Sequence, residues 1–468
     1  MTMKNLIYIT VLLLSFTDCK RSDFLDEKPN QSNVVPKTLG DFDAILDRDI
    51  EMNALGITAR GPVPGLGEAG SDNYYLLDAD FNGRMSPQVQ NYYTWAKDPY
   101  DGSGVNDWVF PYQVVFYANT VLDGLGAVER TDNNYTEFDR IRGSALFARA
   151  HAFYQLAQVF APPYNETSAF KDWGIPLRLT AEVEEKISRG ALKQTYDRII
   201  EDLKTASDLL PELPAIKTRP SKQATYGLLA RVYQTMQKYD DSQKYANLCL
   251  AINDDLLDYN TVNSALSYPF RGGSQNHKEV IFACKIVGDP LLSYPFRANI
   301  AFVPSDLYNL YLNGDLRKKV FFGTRSGLIS YKGSYDGVAH SFGGIAIDEI
   351  YLIRAENNAR EKKLDDALTD INTLLKSRWD KNIPFEPLSS NDEEEVLNIV
   401  LNERRKELIF RGLRWTDLRR LNLEGRNITL HRTVNGQEYT LLPNDPKYTY
   451  PTPNEVISFN PEMPQNNR

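Results

Sequence analysis

Cysteine is nearly absent from this chain. Cys19, Cys249 and Cys284 are the three in 468 residues, too few for a disulfide framework, so a core must come from packing. Histidine is as scarce, and His151, His277, His340 and His431 show no paired metal-ligand spacing. A basic surplus is also missing: the net charge of −9 leaves nothing to displace counterions from phosphates, which excludes nucleic acid as a partner. Beyond the N-terminus no apolar run reaches the roughly 20 residues of a membrane-spanning helix. No nucleophile elbow, H-E-x-x-H or P-loop is present. A catalytic carboxylate pair among 62 acidic residues would have no spacing to betray it, because such pairs are defined by separation in space.

The chain is rich in aromatics instead: 27 Tyr, 21 Phe and 5 Trp, within 42% hydrophobic and 25% charged residues. Tyrosine pairs an apolar face with a polar tip, which suits sugar or peptide recognition as well as a large helical core. The N-terminus reads as an address. Lys4 precedes an apolar run from Leu6 to Phe16 that is too short to cross a bilayer and closes near Cys19. Residues 1–18 are read as a signal peptide and 19–37 as a polar tether behind Cys19. Residues 38–468 are read as one globular domain.

Helical periodicity marks Thr38–Arg48, Asp107–Leu125, Glu137–Tyr164 (closed by Pro162 and Pro163) and Gln194–Leu210. Ala224–Ile252 and Glu349–Trp379 each read as two helices with small residues at their contact, in the manner of tetratricopeptide (TPR) units. About four such hairpins make a mainly α scaffold. Residues 51–105, 253–344 and 422–468 are loop inserts with a few short strands. Within the first, Gly65, Gly67 and Gly70 spell G-x-G-x-x-G, but Pro62 and Pro64 precede them, so the motif reads as a loop and not a nucleotide site. Asp78, Asp80, Asn82 and Gly83 copy half of an EF-hand, with Val89 where the bidentate glutamate belongs. They read as an ordinary turn, with a calcium ion in other geometry as the alternative.

Residues Asn391–Asn422 dominate the C-terminal part. Asn391 or Asp392 can cap a helix whose first turn holds Glu393, Glu394 and Glu395. Arg404 interrupts its apolar face and requires a carboxylate. Glu407 is within i,i+3 reach, and Glu356 on the preceding helical pair is the leading cross-helix candidate. Trp415 follows in a second short helix. As a string, E-R-x-x-E-L-x-F-x-G-x-R-W-x-D-L-x-R resembles the C-terminal signature of the SusD/RagB family, with Arg411 where an acidic residue is common. Arg149, Ala150, Ala152, Phe153, Tyr154, Leu156, Phe160 and Tyr164 resemble another family element, and Trp173–Pro176 a third. Cys19 resembles a lipobox cysteine, followed by Asp23, Phe24, Leu25 and Asp26 as in the family's D-x-L-D element.

The resemblance implies a surface lipoprotein of the outer membrane, anchored through Cys19. It would capture oligosaccharide for a SusC-like TonB-dependent transporter, with no cofactor, metal or catalysis. RagB-like members take peptides, and an all-helical surface glycoside hydrolase is the alternative from another class. For cargo recognition the loop aromatics are the candidates: Trp95 first, with Tyr74, Tyr75, Tyr92, Tyr93 and Tyr294. Asp72, Asn73 and Arg297 would bond the sugar hydroxyls.

Overall fold

The computed structural model describes residues 36–55, 60–287, 300–338 and 340–468. Cys19, Tyr294 and Arg297 lie outside them. Helix α1 (Leu39–Leu46) starts at a capping box in which Thr38 and Asp41 satisfy each other's backbone N–H groups. It packs against α2 (Asn106–Leu125) and α3 (Tyr135–Phe160). Helix α3 stops where Ala161 turns extended ahead of Pro162 and Pro163. The stack continues through α4 (Leu192–Leu209), α5 (Lys222–Thr235) and α6 (Tyr239–Ile252) to α7 (Ile347–Arg360), α8 (Leu364–Arg378) and α9 (Glu393–Glu407), each helix packing on the next. Helix α10 (Arg414–Leu423) closes it.

The two TPR-like hairpins are built alike. In α5–α6 the turn passes through Gln237 at φ 58°, and in α7–α8 through Lys362 at φ 63°. In each, the residue after the left-handed one donates its N–H five residues back, Lys238 to Tyr233 and Lys363 to Asn358. Asn357 of the second hairpin donates to Ser242 of the first, whose hydroxyl in turn donates to the Ala230 carbonyl within its own hairpin. The strands among the described residues form two-stranded antiparallel ladders only. No helix among these residues is long and apolar enough to cross a membrane. Cys249 and Cys284 are separate buried thiols.

The first insert is more ordered than its composition predicts. Short helices occupy Leu66–Gly70, Asp78–Arg84 and Pro87–Tyr93. Ser86 caps the last, with Pro87 at its first position. The expected Asp78–Gly83 turn is thus a helix. Its carboxylates point along a rod instead of wrapping a point, Asp78 accepting from the Asn435 N–H and Asp80 from Arg84. The glycine motif is also helical, and its glycines serve a contact. A Cβ at Gly70 would meet the Trp415 ring at 2.7 Å and one at Gly67 would meet it at 3.1 Å. Trp415 is buried over both and against Tyr448.

The expected partners of Arg404 require correction. Its Nε donates to Asp417 on α10 at 2.9 Å. Phe410 and Gly412, both at positive φ, turn the chain back and bring Asp417 under α9. Arg420, one turn further, then covers Glu356 with bonds of 2.5 and 2.8 Å. Glu356 also accepts from Arg360 and Gln234. Glu407 likewise turns away from Arg404 and accepts from Arg317 at 2.8 Å and Arg378 at 2.9 Å. Arg411, which departs from the family pattern, bonds Asp348 at 3.0 Å between the rings of Tyr335 and Phe342. Helix α10 and Glu356 therefore stand or fall together. Glu356→Ala is expected to lower the unfolding free energy by about 3–5 kcal/mol, because it leaves Arg420 buried without its main partner. A urea midpoint close to that of the parent would refute this role.

Candidate functional site

The recognition residues expected in the first insert do converge, around a cation. Arg432 lies 4.0 Å from the ring centroid of Tyr93, 4.6 Å from Trp95 and 5.1 Å from Tyr74. It donates to the carbonyls of Ala69, Ser71 and Tyr93. Each ring is tied in turn. The Trp95 indole N–H donates to the Gly70 carbonyl at 3.0 Å, the Tyr74 hydroxyl donates to Ala69 at 2.7 Å, and Tyr93 accepts from the Leu76 N–H. Tyr92 sits edge-on to Tyr100 and Tyr450. All four rings are buried. A buried ring has no face for a sugar, so in this conformation Trp95, Tyr74 and Tyr93 form a cage that holds the insert to the strand Leu430–Val434, while Tyr92 packs on Tyr450.

Asp72 and Asn73 are engaged as well. Asn73 donates to the buried Glu68 at 2.7 Å. Asp72 takes a bidentate pair from Arg414 at 2.7 and 2.9 Å and a third contact from Arg405 at 2.9 Å. Burial alone would raise its carboxyl, but these cations hold it well below the usual carboxylate range. Tyr75 alone among the described aromatic candidates keeps part of its ring open. It pairs with Phe302 in the ladder Tyr75–Leu76 with Ala301–Phe302, ring centroids 5.9 Å apart. The strand carrying Phe302 follows directly on residues 288–299, which include Tyr294 and Arg297. Sequence reasoning misses Arg432. The available signal is its inward phase in a strand whose exposure alternates from Leu430 to Val434.

Among the described residues one group of carboxylates is close enough to hold a metal: oxygens of Glu279, Asp348 and Glu407 lie within 4.8 Å of one another. Guanidinium groups already fill that role. Arg378 bonds Glu279 at 2.8 Å and Glu407 at 2.9 Å, Arg411 bonds Asp348, and the Tyr335 hydroxyl bonds Asp348 at 2.9 Å. The cluster is sealed from solvent and extends to Arg317, Asp315, Glu403 and Lys406. Five carboxylates there face four cations. Burial, with Asp348 and Glu407 adding to it against Arg378, pushes the Glu279 carboxyl up to about 7, the direction that offsets the surplus of negative charge.

A charge-locked α-helical scaffold of TPR-like hairpins, carrying ordered loop inserts, is the class of protein this fold defines. A family profile described as SusD-like, starch-binding associating with outer membrane, matches residues 23–234, and the SusD family profile matches residues 347–468. SusD-like protein P2 of Formosa agariphila is 24% identical over 373 residues, which is 68% of this chain and 71% of that protein. A SusD superfamily protein from Bacteroides thetaiotaomicron superposes with a TM-score of 0.74 at 21% identity, over 92% of this chain and 100% of that one. A SusD-like carbohydrate binding protein from Bacteroides vulgatus gives 0.68 at 20% identity, over 92% and 98%. The chain belongs to the SusD/RagB family.

The proton on Glu279 has a consequence for stability. Its pKa is higher folded than unfolded, so the folded protein retains a proton that the unfolded chain releases above its ordinary pKa of 4.5. That contribution is complete below pH 4.5 and is lost as pH rises through about 7. Relative to Glu279→Gln, which is neutral throughout, the parent should lose thermal stability steadily across this window. Melting curves at pH 4.5, 6 and 8 measure it, and a difference independent of pH would mean that Glu279 is ionised in the fold.

Proposed function

We propose that this protein is an outer-membrane surface lipoprotein that captures an oligosaccharide and passes it to a SusC-like TonB-dependent transporter. The observation that carries the reading is the match of residues 23–234 to a family described as starch-binding associating with outer membrane, with residues 347–468 matching the SusD family. A shared fold with a protein described as carbohydrate binding supports it. In this reading Cys19 carries the lipid. Residues 20–37 are the polar tether that keeps the domain beside its partner. Such tethering raises the effective concentration of one protein at the other without requiring a tight interface.

The cargo site in this proposal is the strand edge at Tyr75. A sugar ring stacks its C–H face on the open part of the Tyr75 ring, and Tyr294 and Arg297 are the candidates from the sequence to bond its hydroxyls. The fixed backbone of the ladder limits the ordering cost of binding at Tyr75. Capture and release need neither cofactor nor bond cleavage.

Calorimetric titration of the mature chain against a panel of glycans and peptides tests the cargo. Binding of a glycan, weakened about tenfold (~1.4 kcal/mol) by Tyr75→Ala, is the expected result. Silence towards every glycan with binding of peptides would replace the reading with peptide import, and release of shortened products would replace it with hydrolysis. Cys19→Ala is expected to move the protein from the membrane fraction to the soluble one. Continued partitioning with membranes would remove the lipid anchor from the proposal.

A further inference from the structure

Far from the Tyr75 edge in sequence, an open groove of about 950 Å3 runs between the loop 254–260, helix α8 and the loop 379–385. Trp379, Tyr351 and Phe385 supply its rings. Trp379 is held from three sides. Its indole N–H donates to the carbonyls of Ile383 and Pro384 at 3.0 and 3.1 Å. Its backbone bridges to Asp315, and one face lies so close to Gly314 that a Cβ there would meet the ring at 2.3 Å. Asn260 locks the loop that follows, donating to the Trp379 carbonyl at 2.8 Å and accepting from the Lys381 N–H at 3.0 Å. Even so, Trp379 keeps part of its surface exposed. A rigid, partly open indole in a groove binds a flat apolar surface at little cost in side-chain entropy.

The polar lining narrows the ligand. Asp254, Asp255, Asp258 and Asp380 face Lys376 and Lys381. Lys278 and Lys319 engage Asp255 and Asp380, so the carboxylates and cations around the groove balance. Carboxylates accept from hydroxyl groups and the lysines and Asn382 donate to them, and with no surplus of cations the groove offers nothing to attract uronates or sulfated sugars. An open groove also admits a chain where a closed pocket would admit only its end. We propose that this groove is a second carbohydrate-binding subsite, taking a neutral oligosaccharide with one ring on Trp379. Two separated sites on one scaffold would hold a long chain more firmly than either alone. The inference rests on the reading that the protein binds glycans.

Fluorine NMR of the full mature chain labelled with 5-fluorotryptophan separates the two claims. Five tryptophans give five resonances, and Trp379→Phe identifies one. Maltohexaose, cellohexaose, xylohexaose, mannohexaose and an oligogalacturonate are titrated in parallel with calorimetry. The Trp379 resonance is expected to move with at least one neutral hexasaccharide and to stay fixed with the oligogalacturonate. The rim variant Lys381→Ala/Asn382→Ala should weaken that response at least fivefold, whereas Tyr75→Ala should leave it intact. Calorimetric binding with an unmoved Trp379 resonance, or a Trp379 response abolished by Tyr75→Ala, overturns the second subsite and leaves glycan capture standing. An equal response to the oligogalacturonate overturns its neutral specificity. Silence of both measurements towards the whole panel removes the glycan reading and this site with it.

Discussion

Buried charge must be matched where it lies, and the stretch 404–420 imposes that constraint on the rest of the molecule. Arg404, Arg411, Arg414, Arg419 and Arg420 are all buried. Each reaches a different structural partner: Asp417 within the stretch, Asp348 at the start of α7, Asp72 in the first insert, the carbonyls of Gln158 and Ala161 at the end of α3, and Glu356 on α7. Arg419 meets no carboxylate. It takes up carbonyls left free where α3 ends, and it sits at the negative end of that helix dipole. A cation in a low-dielectric interior is costly unless its partner is in place. The stretch therefore specifies where three distant segments lie, beyond what apolar packing asks of them.

The first insert depends on the same principle one step out. Arg414 holds Asp72, and Glu68 accepts from the Gly412 N–H. Arg432 then gathers the aromatic rings by stacking. What looks in composition like a binding surface is in large part the means of fixing a loop. The exposed part of Tyr75 inherits a firm position from the buried residues around it. Trp379 follows the same logic, with a glycine beneath it and two carbonyls at its edge.

Much of this was legible in the chain. The helices came from apolar periodicity, their ends from Pro162, Pro163 and the Asp392 cap, and the requirement for a partner at Arg404 from its place on an apolar face. The identity of that partner was not legible. It hinges on the left-handed turn at Phe410 and Gly412, which decides whether Asp417 or Glu356 falls beneath the guanidinium. Gly67 and Gly70 were read as loop glycines because no local rule reveals a tryptophan arriving from more than 340 residues away. Trp95 was the favoured ligand contact on chemistry alone, and chemistry is the same for a ring that meets a sugar and one that meets Arg432.

By itself the sequence determined the family, the helical scaffold and the class of side chain that each segment contributes, because these follow from local periodicity, capping and a contiguous signature. Only the tertiary structure decided which aromatic rings are closed and which stay open, and which carboxylate each arginine takes. Those outcomes depend on where segments hundreds of residues apart come to rest. The physical reason is that burial and charge pairing are properties of a place in three dimensions, and one turn of backbone is enough to reassign them.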